Sequence, residues 1–333
     1  MLEVISTSGF SSFQDMGRNG FLSQGISRSG AADYYALFEG AALLDQNPNS
    51  TALELIGNGG KFRVLQNCMV ALTGAIMPAS LDQKPLAWNS SHFLHDGSIL
   101  ELGAPQNGRY SYLHLRGGFK APKIFNSSSA QPSAGIGKYT RPKDILEPLE
   151  KNPEALKCQT IEPVDRFELT NFRLVESFQT HLFNPKTIKK FVDTEFSIDN
   201  QANRGGMKLA HTGSGFSTSN QFKIMSDMII PGDIQMTGSG QPFVLLPDCQ
   251  TMGGYPRIGC IIPPDLPAIA QLKTGRTVKF KFISRDEANS IASKDLKCLE
   301  IIKERCLEPI RDPQKMADLL NFNLIDGAVW AKS

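Results

Sequence analysis

Cys68-Met69-Val70-Ala71-Leu72-Thr73-Gly74 is an apolar run that stops at a glycine well before it reaches the length of an ordinary helix. Runs this short, bounded by turn residues, read as β-strands. The same pattern recurs along the chain. Residues 97–102, 110–115, 243–246, 258–262 and 277–283 give further strand-like segments, and 29 Gly and 20 Pro supply the turns between them. Strands of this length suit sandwiches and barrels. Helical spacing is confined to three stretches. In residues 32–44, Leu37, Ala41 and Leu44 share one face and Asn47-Pro48 ends the helix. In residues 163–183, the positions of Phe167, Phe172, Val175 and Phe178 predict short helices. From Arg285 onward, Ala288, Ile291, Leu296, Leu299 and Ile302 form an apolar face. The expected fold class is therefore mainly β, decorated by a few helices.

A chain of 333 residues carries two domains of ordinary size. Residues 147–159 are charged, contain proline and lack strand periodicity, which places the boundary there. The expected units are an N-terminal domain over 1–155, a second domain over 156–285 and a helical tail over 286–333, in which 316–330 reads as a docking helix. His95-Asp96-Gly97-Ser98-Ile99-Leu100-Glu101-Leu102 and Lys273-Thr274-Gly275-Arg276-Thr277-Val278-Lys279-Phe280 each set a glycine turn before an alternating strand. That echo fits either two similar β domains in tandem or chance.

With 35 basic and 33 acidic residues spread evenly, the formal charge of +2 gives no electrostatic case for nucleic acid. The apolar runs are too short for a membrane span, and Met1-Leu2-Glu3-Val4 carries no basic n-region, so a cytoplasmic location is expected. The six cysteines include no Cys-x-x-Cys pair, and His92 and His95 lack a third ligand, so no metal is expected. Cys249 is read as a packing thiol. No Walker loop and no dinucleotide fingerprint occur. Gly213-Ser214-Gly215 lacks the context of a nucleophile elbow, and Ser127-Ser128-Ser129 reads as a polar loop.

Three stretches concentrate chemistry. Gln14-Asp15-Met16-Gly17-Arg18 packs an amide, a carboxylate and a guanidinium into one loop, which either braces a turn through an Asp15–Arg18 pair or offers a bidentate arginine to an anion. Ser27-Arg28-Ser29-Gly30-Ala31-Ala32-Asp33 leads into the first helix, where Ser29 or Gly30 is read as the cap. The densest stretch spans 231–257. It holds Gln235, Gln241, Gln250, Tyr255 and Arg257 among glycines and prolines, and Gly253-Gly254 allows positive φ and close approach to a ligand.

Taken in order, these motifs resemble the biotin-dependent carboxyltransferase family, which includes allophanate hydrolase subunit 2, the carboxyltransferase region of urea carboxylase and the C-type subunit of 5-oxoprolinase. The resemblance rests on Gln14-Asp15-Met16-Gly17-Arg18, Ser29-Gly30-Ala31-Ala32-Asp33, Ala52-Leu53-Glu54, Leu72-Thr73-Gly74-Ala75, Pro231-Gly232-Asp233-Ile234-Gln235, Gly240-Gln241-Pro242 and Thr251-Met252-Gly253-Gly254-Tyr255-Pro256. It implies two tandem cyclophilin-like β-barrels and a B-type partner subunit (allophanate hydrolase subunit 1-like), with an A-type subunit in the 5-oxoprolinase branch. In that branch the complex opens 5-oxoproline to glutamate using ATP, and no cofactor is held tightly by this chain. In the urea branch the related region moves a carboxyl group from biotin on a partner to urea. A third branch is a regulatory partner of a kinase inhibitor. The sequence departs from the family pattern at residues 124–130, at Gly137-Lys138 and Lys143-Asp144, and at Asn203-Arg204-Gly205-Gly206, where an amide replaces a carboxylate.

The resulting expectation is a site in which Arg18 and Arg204 hold an anion and Gln235, Gln250 and Tyr255 orient a small amide. Asp15 or Glu54 is read as the proton-transfer group, and Gln14, Ser29, Gly253, Gly254 and Arg257 complete the binding set.

Overall fold

The computed structural model describes residues 1–8, 10–150, 156–218 and 225–308. The apolar run Cys68–Gly74 is a strand, and both of its faces are buried. Val70 and Leu72 enter a core formed between two sheets, while Met69 and Ala71 enter a second core beneath the first helix. Tyr110–Leu115, its neighbour, works the same way: Leu113 and Leu115 point into the sandwich, and Tyr110 and Tyr112 face the second half of the molecule. A strand covered on both sides reads as a continuous apolar run, which is why periodicity is faint in it.

The N-terminal sandwich has a six-stranded sheet containing Leu2–Thr7, Gly60–Val64 and Ile99–Leu102. Facing it is a seven-stranded sheet built around Ala52–Ile56, Tyr110–Leu115 and Cys68–Gly74. The C-terminal half is a closed seven-stranded barrel, sealed by parallel pairing of Asn171–Val175 with Thr277–Phe282. Its interior is aromatic: Phe172, Phe191, Phe196, Phe216 and Phe280 are buried together. The mainly β class is thus realised, with four α-helices among the described residues.

The echo has a structural counterpart. His95 O accepts from Ser98 N and Lys273 O from Arg276 N, each closing a turn with a left-handed glycine, Gly97 at φ 83° and Gly275 at φ 84°. Each turn feeds the strand that follows it.

Several expectations are corrected. Residues 163–183 are not helical: they hold the barrel strand Asn171–Val175 and one 3-10 turn, Thr180–Leu182. Phe172 and Leu174 alternate inward, so the period is two, and Phe178 is exposed. The helix instead comes later, at Pro185–Asp193, started by Asn184, whose side chain accepts from Thr187 N. The residue after the expected boundary at 155 does not start the barrel: Thr160–Ile161 pairs with Ser90 on the N-terminal sheet. The tail is helical over Arg285–Glu300, but Cys306–Leu307 then becomes a strand beside Thr160–Ile161. Residues 316–330, the expected docking helix, lie outside the described residues.

The first helix, α1 (Tyr34–Leu44), is capped by Asp33, whose carboxylate accepts from Ala36 N, and not by Ser29 or Gly30. The same carboxylate accepts from Arg166 and Gln271, so the cap belongs to a buried network with Glu39. Helix α1 lies against the seven-stranded sheet, and at Gly40 it meets the ring of His114: a Cβ there would stand 2.4 Å from the ring. Thr73 Oγ1 donates to Ala36 O, so the His114 Nε2 at 2.7 Å must carry the hydrogen that Thr73 accepts. Burial pushes the His114 pKa down to about 3 and keeps the ring neutral.

This contact makes the helix–sheet packing sensitive to both volume and pH. Gly40→Ala, which in an exposed helix gains about 1 kcal/mol, is expected to lose about 1–3 kcal/mol here because the ring cannot retreat; urea denaturation reads the sign. The folded His114 refuses a proton until about pH 3, whereas the unfolded chain takes one near its ordinary value of about 6.5. Stability from this residue is therefore present above pH 6.5 and falls as pH drops toward 3, by up to ~1.4 kcal/mol per pH unit. His114→Gln should flatten that part of the stability profile relative to wild type.

Candidate functional site

Where the sandwich meets the barrel, the Gln14–Arg18 and Ser27–Asp33 stretches lie side by side. Gly17 and Gly30 touch backbone to backbone, and a Cβ on Gly17 would stand 2.7 Å from Arg28 O. Arg18 N donates to Arg28 O and Ala31 N to Asp15 O, which locks the two loops together. Two glycines at positive φ permit that approach.

Arg204 reaches this junction from the turn between Phe196–Asn203 and Gly206–Ala210 of the barrel. Its guanidinium forks onto Asp248, with Nε at 2.7 Å and Nη2 at 2.9 Å, while Nη1 pairs with Glu54. Nη2 also donates to Gly30 O at 2.6 Å. Burial by itself lowers the Arg204 pKa, but Glu54 and Asp248 outweigh it and hold the pKa well above the ordinary value. The second oxygen of Glu54 accepts from Ala32 N and the Tyr112 hydroxyl. Ser29, itself left-handed at φ 50°, donates its hydroxyl to Asp248 at 2.6 Å. Gln14 anchors the rim by donating to Ala130 O.

Asp15 forms a second knot. Its Oδ1 accepts from Ser127 Oγ, Ser129 Oγ and Gly17 N, and its Oδ2 from Ser128 N. Arg18 turns the other way, donating through Nε to Ile124 O and through Nη2 to Ser129 O. The Asp15 carboxylate is thus occupied by the serine loop and not by Arg18. Ser127, Ser128 and Ser129 are all buried, so the stretch read as a polar loop is an internal brace. Phe125 and Asn126, both at positive φ, make the tight turn into it.

The 231–257 stretch assembles elsewhere on the barrel. Gln235, on strand Asp233–Met236, is buried and its Nε2 has no hydrogen-bond partner; a Cβ on Gly253 would sit 2.5 Å from it. Neither Gly253 nor Gly254 takes a positive φ, so close approach rather than backbone handedness accounts for Gly253. Arg257 is held by Asp227, Asp233, Met228 O and Gln179. Cys249 packs with Ile229 and Leu245, and burial pushes its thiol up to about 12, as suits a packing residue. Gln250 and Tyr255 are exposed. Beside them, Asp227–Met228 and Met252–Gly253 form a two-stranded ribbon in which Met228 and Met252 face each other, both about half exposed.

The expected site residues therefore fall into two groups. Gln14, Asp15, Arg18, Ser29, Glu54 and Arg204 meet at the junction; Gln235, Gly253, Arg257, Gln250 and Tyr255 gather on the ribbon side, with Gly254 between the last two. Arg204 and Arg257 are paired with their own carboxylates, and Asp15 and Glu54 each accept several hydrogen bonds, which braces the two loops and the strand beside them. Reading the sequence missed Asp248, the second acid of the Arg204 fork, although it stands directly before Cys249. It also missed Arg166, which joins Asp33 and Glu39 in the interior; a lone arginine in a stretch without a motif carries no local signal.

Arg204→Met leaves Glu54 and Asp248 buried without their cation, and about 3–5 kcal/mol of stability should be lost. Arg204→Lys keeps the charge but not the fork, and should recover part of that loss in chemical denaturation.

Comparison with known proteins places these features. The family model for the carboxyltransferase domain, subdomain A and B, matches residues 24–282. The C subunit of 5-oxoprolinase from Haemophilus influenzae is 30% identical over 300 residues, covering 89% of this chain and 95% of that protein. Its Escherichia coli K12 counterpart is 31% identical over 86% of this chain and 93% of its own length. The crystal structure of the K. lactis urea amidolyase superposes with a TM-score of 0.79 at 21% identity, over 94% of this chain and 21% of that one, so the present chain matches about a fifth of that larger protein's length. A barrel and a sandwich joined by a buried arginine, matched along most of their length by that family model, make this chain a member of the carboxyltransferase-domain family, subdomains A and B.

Proposed function

We propose that the chain is the C-type subunit of a 5-oxoprolinase-type complex, which opens a small cyclic amide to glutamate with ATP and in which this chain works beside a B-type and an A-type subunit in the cytoplasm. The observation that carries this reading is the near end-to-end match to two bacterial proteins named as the C subunit of 5-oxoprolinase. Among the described residues no helix is long and apolar enough to cross a membrane.

The site chemistry fits a polypeptide that completes its active site with a partner. The buried ionic groups at the junction are spent on each other, whereas Gln250 and Tyr255 are exposed among the described residues. In the assembled enzyme they donate to the amide oxygen as charge develops there, and fixed donors of this kind are worth most when a partner has excluded water. The sequence offers no glycine-rich phosphate loop, so ATP sits on a partner subunit. Its hydrolysis supplies the driving force for opening an unstrained lactam.

The B-type subunit docks on the methionine ribbon. Met225, Met228, Met252 and Tyr255 expose apolar surface around one short antiparallel pair of strands, and Met228 and Met252 are cross-strand partners. Exposed apolar clusters of this kind mark interfaces, and methionine adapts to the surface it meets.

Co-expression with B- and A-type subunits should yield ATP-dependent glutamate formation from 5-oxoproline that is absent when this chain is left out. Carboxylation of urea that needs a biotinylated partner, with no glutamate formed, overturns the reading in favour of carboxyl transfer. Met228→Asp with Met252→Asp should leave the melting temperature of the chain within a few degrees of wild type. The same pair should weaken capture of the B-type subunit at least about tenfold, the effect of placing charge in an apolar contact.

A further inference from the structure

Behind the Asp15 knot, between Phe13, residues 121–130 and residues 136–146, lies a cavity of about 290 Å³. That is near the lower end of the range for small-molecule sites, about 300 Å³. Its walls are mainly apolar, with Phe13, Ile136 and Leu146 among them. Arg18 lines it, is 1% exposed, and has one nitrogen, Nη1, with no hydrogen-bond partner.

An unpaired guanidinium nitrogen in the interior is costly, and native structures seldom leave one. The nearest acid, Asp15, is already saturated by the serine loop and Gly17. Nε and Nη2 are committed to Ile124 O and Ser129 O. Among the described residues no acceptor reaches Nη1, and the cavity it lines is where one from outside the chain would sit. Two neighbours favour an anion over water. Ser128, also on the wall, gives its backbone N–H to Asp15 and leaves its hydroxyl without a protein partner among the described residues. Lys138 stands at the rim in an exposed pair with Asp144, and such a pair re-forms around a new anion at little cost. A water molecule occupies only about 30 Å³ and would leave the apolar walls unfilled.

We propose that this cavity binds a small monocarboxylate, its carboxylate accepting from Arg18 Nη1 and the Ser128 hydroxyl and its apolar part lying against Phe13, Ile136 and Leu146. Identifying that acid as 5-oxoproline rests on the function proposed above. None of the ribbon residues lines the cavity, so an acid held here lies apart from the face on which Gln250 and Tyr255 stand.

Titration calorimetry on the full chain tests this with two matched pairs, butyrate against butyramide and 5-oxoproline against 2-pyrrolidinone. Each acid should bind at one site, and each neutral analogue about ten- to a hundredfold more weakly, the effect of a charge-assisted hydrogen bond. Ile136→Trp fills the cavity without touching Arg18 and should abolish acid binding with the fold intact by circular dichroism. Arg18→Met should erase the preference for acid over amide. Equal binding of acid and amide, no binding of either acid, or undiminished binding in Ile136→Trp overturns the site. Butyrate binding with 5-oxoproline excluded keeps the carboxylate site and overturns its assignment to this substrate.

Discussion

The architecture depends on one buried cation. Arg204 leaves the barrel, passes into the junction and takes two carboxylates, Glu54 from the sandwich and Asp248 from the barrel. Each of these acids then organises its own surroundings: Glu54 fixes Ala32 N and Tyr112, and Asp248 fixes Ser29. Removing charges from water is expensive, and the attraction between them repays the cost only when the geometry is good and the remaining lone pairs are filled. Here they are filled by backbone and hydroxyl donors. A second cluster repeats the scheme with Arg166 between Asp33 and Glu39. The relation of sandwich to barrel is thereby set by directional contacts, with apolar packing from α1, Tyr110 and Tyr112 filling the space around them.

Rigid bracing also explains where chemistry is left over. Groups tied into the two arginine clusters cannot change partner cheaply. The polar atoms without internal partners, among them Arg18 Nη1 and Gln235 Nε2, include one in each half of the molecule. One belongs to an apolar cavity and the other lies beneath an exposed ribbon.

Much of the fold was legible because strand signals are local. The glycine-bounded run at 68–74, the alternation at 277–282 and the turn glycines before two strands carry their own punctuation, and α1 shows its spacing within a few turns. Residues 163–183 misled because aromatic residues three to five apart fit a helix and an inward-alternating strand equally well; only closure of the barrel by Thr277–Phe282 decides between them. Residues that meet at the junction could be picked out from their motifs, but their partnerships could not. Asp15 and Arg18 are three apart in sequence and read as a pair, yet each is claimed by residues more than 100 positions away. Such long-range hydrogen bonds leave no trace in spacing.

Cys306–Leu307 has a bearing on how the molecule is made. This two-residue strand lies at the outer edge of the N-terminal sheet, against Thr160–Ile161. During synthesis that edge must wait until the whole barrel has emerged from the ribosome, and for that interval the sandwich presents an unpaired strand to its surroundings. Among the described residues, Cys306–Leu307 therefore adds the terminal strand to a sheet whose other edge is Ser12–Gln14. Completion of this sheet is coupled in time to synthesis of the barrel, and a truncation just before residue 306 leaves Thr160–Ile161 as its edge.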